Sequence, residues 1–455
     1  QVRIKQRYRC AENTFFMTES MASHASLEKL MDYPEHELAE ALYDILTVQF
    51  HDMLPGSSIQ PAEEMGLRML DHALEILSRV KARAFFALAA GQPKAEPDKI
   101  PIFAYNPYPY PIEGDFTAEF MLWDQNWNPE FLQPCVYDQA GNLLPSQCEK
   151  EYSTIPLEWR KRVVFHASLE PMKLNRFDCG FEAIPAKPVP TLKHNDTHFV
   201  FDAGKTHVEI NRATGLVDVY AVDGKDYVNK NAFALEVFDD NYDPWYMEET
   251  SWKNKVGAFA LLTPEEAQIF CHTNAPLDGV HVIESGDVRT VVEAVFGYHS
   301  SRAQVKYLLS ETGALQIDVR IVWDEKQKLV KLNVPAAFDK TECIGEEAYG
   351  RETLRGGLEE NVSHRYTTLC QPTDGGAAFA VLNNGLYGSS FDDAANALKI
   401  TLLRSPSYTA HPLPGRITMP QDRYMPYIEQ GERDFSFAFV AGTREEVLDK
   451  APRLS

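Results

Sequence analysis

Over the first ninety positions apolar residues recur at three- and four-residue steps; beyond residue 100 they alternate in short runs broken by turns. From Val2 to about Met31 there is neither proline nor glycine, which predicts one long helix. A second helix opens at Asp32-Tyr33-Pro34, where the proline suits a first turn. Its positions Leu38, Leu42, Ile45, Leu46 and Phe50 define a single buried stripe. A third starts near Pro61-Ala62-Glu63-Glu64, with acids favourably placed in its first turn. It runs through Met65, Met69, Leu70, Leu74, Leu77, Val80 and Ala84 to Gly91. Three long helices with short connections predict a bundle, the methionines serving as core filler.

Residues 92–99, Gln-Pro-Lys-Ala-Glu-Pro-Asp-Lys, read as a linker, and Asn106-Pro107-Tyr108-Pro109-Tyr110-Pro111 begins a different texture. Residues 116–123 and 163–169 alternate as half-buried strands do. Pro185, Pro188 and Pro190 mark a second boundary. Strands are then predicted at 198–203, 206–211, 216–222, 232–238, 280–283, 288–296, 304–309, 315–323, 329–334, 377–382, 397–403 and 435–440, with a hairpin signal at Asp223-Gly224. The domains expected are 1–92, a three-helix bundle; 93–190, a linker and first β domain; and 191–455, a large β-sandwich. The fold class is multidomain α + β, the strands antiparallel.

Composition narrows the function. Hydrophobic residues at 44% and charged residues at 24% are ordinary for a globular protein. A net charge of −22 repels nucleic acid and anionic membrane surfaces, so neither is expected as a partner. No run of about 18 apolar residues is present, and no signal-peptide pattern. Seven cysteines, none in a Cys-x-x-Cys pair, suggest neither a zinc knuckle nor a disulfide framework. Reduced thiols and a cytoplasmic location are the simplest expectation. A homodimer is left open.

One stretch carries chemistry: Val48-Gln49-Phe50-His51-Asp52-Met53-Leu54-Pro55-Gly56-Ser57-Ser58-Ile59. It falls where a helix runs into Pro55-Gly56, a pair that stops the helix and reverses the chain. A histidine at a helix C-terminus is favoured by the macrodipole and needs no other job. Its position nevertheless predicts that Phe50 and Leu54 pack inward while His51 and Asp52 project from the rim of the bundle.

The full string resembles the signature of the family 38 glycoside hydrolases, the retaining α-mannosidases. Three further strings are similar to that family: residues 239–245 (Asp-Asp-Asn-Tyr-Asp-Pro-Trp), 378–388 (Ala-Phe-Ala-Val-Leu-Asn-Asn-Gly-Leu-Tyr-Gly) and 402–408 (Leu-Leu-Arg-Ser-Pro-Ser-Tyr). The resemblance implies a helical middle domain followed by a galactose mutarotase-like supersandwich. It also implies one zinc ion, with His51 as a ligand and Asp52 as a contact to an α-linked mannose. In that family the nucleophilic aspartate, the acid/base and the remaining zinc ligands lie in an α/β domain N-terminal to the bundle. That domain is therefore an expected partner, and the present chain alone is expected to be inactive.

The chain itself offers three sets of residues as replacements. His194-x-Asp196-x-His198 places two imidazoles on one strand face, but amid polar turn residues. Asp239, Asp240 and Asp243, or Glu346, Glu347 and Glu352, offer carboxylate pairs. In Tyr349-Gly350-Arg351-Glu352, Arg351 is a candidate sugar contact. The rival reading is a non-catalytic carbohydrate-binding or scaffold protein, using Trp123, Trp127, Tyr108 and Tyr110 as its exposed aromatics.

Overall fold

The computed structural model describes residues 1–152, 158–246, 248–411, 413, 415–416 and 418–455. Its first third is helical: α1 (Val2–Leu27), α2 (Glu35–Val48) and α3 (Gln60–Ala89). Ile4, Tyr8 and Ala11 of α1 meet Leu38, Ala41, Ile45 and Val48 of α2 and Leu70, Ala73, Ile76 and Leu77 of α3 in one core. The stripe on α2 is thus 38-41-45-48, and the expectation for three of its members needs correction. Leu42, Leu46 and Phe50 are exposed, as is Met65 on α3. Small Ala41 takes the contact position that Leu42 was expected to fill, because a narrow three-four stripe on a 14-residue helix leaves its flanking positions in solvent.

Beyond residue 100 every strand pairing is antiparallel. Two three-stranded sheets come first. Ile100–Asn106, Lys173–Ile184 and Phe131–Tyr137 form one, and Ile112–Asn126, Glu158–Leu169 and Ser146–Glu149 the other. Val136, Val163, Phe165, Phe177 and Cys179 lie in the core between them.

The large sandwich stacks a six-stranded sheet on a ten-stranded one, with a further five-stranded sheet starting at Lys193. Val237, Val330, Leu332, Leu398 and Ile400 of the first face Val305, Ile317, Phe379, Phe437 and Phe439 of the second through one continuous core. Two short helices complete the fold, α4 (Pro264–Cys271) and α5 (Arg444–Leu454), each opened by a reciprocal threonine–glutamate cap. All seven cysteines are free thiols. Among the described residues no helix is long and apolar enough to cross a membrane.

The other face of the six-stranded sheet is charged, yet buried. Lys331 Nζ donates to Glu360, to Ser390 Oγ at 3.0 Å and to Thr401 Oγ1 at 2.8 Å. Lys399 Nζ donates to Glu236 at 2.7 Å and to Asn333 Oδ1 at 2.8 Å. Trp252 lies against this network, its indole N–H donating to Asp240 at 2.9 Å.

Candidate functional site

After α2 the backbone winds on in consecutive turns. Phe50 N–H bonds to Thr47 O, Met53 N–H to Phe50 O and Gly56 N–H to Met53 O. This winding decides which side chains point inward. Met53 is buried and reaches the backbone of Gly66 on α3, whereas Phe50 lies outside and packs its ring on that of His51 with centroids 4.2 Å apart. The expectation that Phe50 packs inward is therefore corrected: Met53 does so, with Leu54 partly buried beside it. His51 is 78% exposed and Asp52 35%, and Nε2 of the imidazole stands 3.7 Å from the Asp52 carboxylate.

Although exposed, the turn is held at both ends by α1. Gln49 donates its amide to the Tyr8 hydroxyl. Burial pushes that hydroxyl up to about 12, so it stays protonated and passes the chain on to Glu12 at 3.2 Å. Lys5 Nζ bonds to Pro55 O at 2.6 Å. Gln1 and Ser58 exchange two hydrogen bonds, of 2.7 and 2.8 Å. Gly56 has φ of +90°, and a Cβ there would lie 2.5 Å from the Gln1 backbone nitrogen. Gly56→Val is therefore expected to lower stability by about 2 kcal/mol, read as a shift of the urea midpoint, from backbone strain and lost contact with α1.

Helix α1 in turn is clamped to the sandwich. Arg9 Nη2 donates to the Tyr387 hydroxyl at 3.2 Å, and its guanidinium lies over that ring. Gln6 Nε2 donates to Asp434 O at 2.7 Å. Gly385, at φ +115°, lets the 383–386 turn approach so closely that a Cβ would fall 2.8 Å from Gln6 Cα. At the start of α3, Tyr408 donates its hydroxyl to Glu63. Arg404, four residues earlier, makes two hydrogen bonds with the Asp240 carboxylate, at 2.8 and 2.9 Å. The strings 378–388 and 402–408 thus both reach the joint between sandwich and bundle, and 239–245 is tied to the second of them within the sandwich.

The other candidate residues do not gather with His51. Arg351 lies on an edge strand and donates to Leu448 O of α5 at 3.1 Å. His198 is 3.0 Å from Asp218, while His194 faces the Leu192 carbonyl, so the two imidazoles have separate partners. Asp240 is neutralised by Arg404, and Glu346 by Arg365. Among the described residues no group of three His, Cys, Asp or Glu side chains is placed to hold a metal. Trp123 and Trp127 are exposed, whereas Tyr108 stacks on Tyr110 at 5.3 Å and tilts against Phe16. Sequence reasoning passed over His411, which meets Trp245 edge-on at 5.5 Å in the loop that follows Tyr408. Only the fold brings these two positions together.

Comparison with known proteins decides the family. Residues 1–88 match the α-mannosidase middle domain, and residues 202–414 match the C-terminal domain of the glycosyl hydrolases of family 38. The chain belongs to glycoside hydrolase family 38. It carries that family's middle and C-terminal domains, in that order. Two solved structures from Enterococcus faecalis share the fold, one described as a protein in glycosyl hydrolase family 38 and one as an α-mannosidase of strain V583. Their TM-scores are 0.76 and 0.73, at 14% and 13% identity, and each match covers 99% of this chain. It covers 57% and 55% of theirs, so the family 38 chain described here spans little more than half their length. No curated protein matches the chain.

Proposed function

We propose that this chain is the middle and C-terminal part of a zinc-dependent retaining α-mannosidase that hydrolyses α-linked mannose, with His51 as its contribution to the metal site. One observation carries the reading. The His51 imidazole is solvent-facing, yet it sits on a turn whose two ends are fixed by Gln49–Tyr8 and Lys5–Pro55. A ligand for an ion shared with another domain needs that combination of exposure and fixed position.

The donor set here is compatible with zinc but incomplete. A catalytic zinc takes about three protein ligands, and His51 with Asp52 beside it supplies at most two. The others are assigned to an α/β domain of the same parent protein, together with the nucleophile and the acid/base, which a retaining glycosidase holds about 5–5.5 Å apart. When bound, the ion would grip sugar hydroxyls and favour ring distortion toward the transition state. His51 orients one coordination position. Asp52 accepts a hydrogen bond from a substrate hydroxyl. Arg351, turned toward α5, has no part in the proposal.

The test is hydrolysis of an aryl α-mannoside by the 455-residue chain alone and by the same chain joined to its α/β domain. The joined form is expected to turn over and the isolated chain to show no activity above background, because both the attacking and the protonating carboxylate are assigned to the α/β domain. Full activity of the isolated chain would overturn the assignment.

A further inference from the structure

A cleft of about 710 Å³ opens where the small β domain meets the sandwich, within the roughly 300–1,000 Å³ typical of ligand sites. Its geometry is set by a close-fitting joint. Arg289 on the sandwich donates through Nε and Nη2 to the two Glu149 oxygens, each at 2.7 Å, and Lys150 N–H bonds to Glu284 at 2.7 Å. The floor is apolar: Val291 and Leu308 are buried and lie opposite each other on neighbouring strands, with Ile283 beside them. On the same sheet Lys306 and Asp318 stand opposite each other in register. The rim carries Tyr152, 84% exposed, with the Arg162 guanidinium 4.2 Å from its ring centroid.

We propose that this cleft binds a neutral oligosaccharide. Its cations and carboxylates are nearly equal in number, so it has little net field to concentrate an ion. What it presents is donors and acceptors side by side over an apolar floor, beneath an aromatic edge. A pyranose matches that lining. Its hydroxyls both donate and accept, and its C–H face packs on apolar or aromatic surface. The same sheet face extends the site: Glu119 lies opposite Arg162 and Met121 opposite Arg160, where a second sugar unit would lie. The inference does not rest on the His51 assignment.

The experiment is isothermal titration of the purified chain with α-mannotriose, cellotriose and inorganic phosphate. At least one trisaccharide is expected to bind with a Kd of about 1 mM or tighter, and phosphate not to bind. Tyr152→Ala and Lys306→Ala should each weaken binding by about fivefold or more, a loss on the order of 1 kcal/mol. Both substituted side chains lie at the cleft surface, and near-ultraviolet circular dichroism of the variants verifies their folding. No heat from either trisaccharide at about 10 mM, undiminished binding by the folded Tyr152→Ala/Lys306→Ala variant, or a preference for phosphate would each overturn the proposal.

Discussion

Replacing Lys331 by methionine is expected to lower the stability of the sandwich by about 3–5 kcal/mol, the cost of leaving a buried partner charge uncompensated. The lysine side chain is 1% exposed and its main counter-charge, Glu360, 10%. Burial pulls the Lys331 ammonium below its ordinary range, and Glu360 acts in the opposite direction to hold the charge. Methionine nearly preserves the volume, so packing changes little, but Glu360 is then left on the sheet face without its cation. Its remaining hydrogen bond from Thr401 does not replace that charge. Urea unfolding followed by tryptophan fluorescence reads the loss as a lower midpoint at similar slope. Removing both charges, as Lys331→Met with Glu360→Met, should recover part of it, because the desolvation penalty disappears with the pair. A single-substitution loss below about 1 kcal/mol would mean that water screens the pair and that this sheet face is not sealed.

The second large effect concerns His51. In the polypeptide that joins this chain to its α/β domain, His51→Ala is expected to lower kcat/KM by about a hundredfold or more, since even second-sphere changes at metal sites cost 10–100-fold. His51 is exposed on the surface of the bundle, and removing its ring should leave the melting temperature of the isolated chain nearly unchanged. That contrast separates a ligand from a structural residue. Asp52→Asn keeps the shape and removes the charge; it should impair turnover while retaining the metal. A fall in stability equal to the fall in activity for His51→Ala would point instead to a structural role for the turn.

The bundle was legible because proline and glycine punctuate it. The absence of both before Met31, then Pro34, Pro61 and Gly91, mark the helices, whose bounds are Val2–Leu27, Glu35–Val48 and Gln60–Ala89. Which face is buried was less legible, since Leu42 and Ala41 compete for one contact and the smaller residue wins it. Among the strands, those alternating apolar with polar residues were readable, such as Leu315–Trp323. Tyr366–Cys370 and Gly388–Asp392 were not. Tyr-Thr-Thr-Leu-Cys is buried at all five positions, and Ser389 and Ser390 are buried in Gly-Ser-Ser-Phe-Asp, so hydroxyl-bearing residues hid core strands. Lys173–Ile184 was hidden likewise by buried Asn175 and Arg176. Helix α5 did carry a signal, Thr443 with Glu446, but on only 11 residues.

At the candidate site the histidine turn was visible because everything that defines it lies within twelve residues. Its anchoring was not. Tyr408 meets Glu63 across 345 positions, and Arg9 meets Tyr387 across 378. No periodicity reports such pairs; the sandwich must close before they exist.

The most direct measurement of the central claim is the zinc content of the joined polypeptide, purified and dialysed, as wild type and as His51→Ala. Removal of one of about three protein ligands should leave the ion loosely held. The account predicts about one zinc per wild-type chain and a small fraction of that in the variant, both proteins being equally folded. Full zinc occupancy in His51→Ala would contradict it.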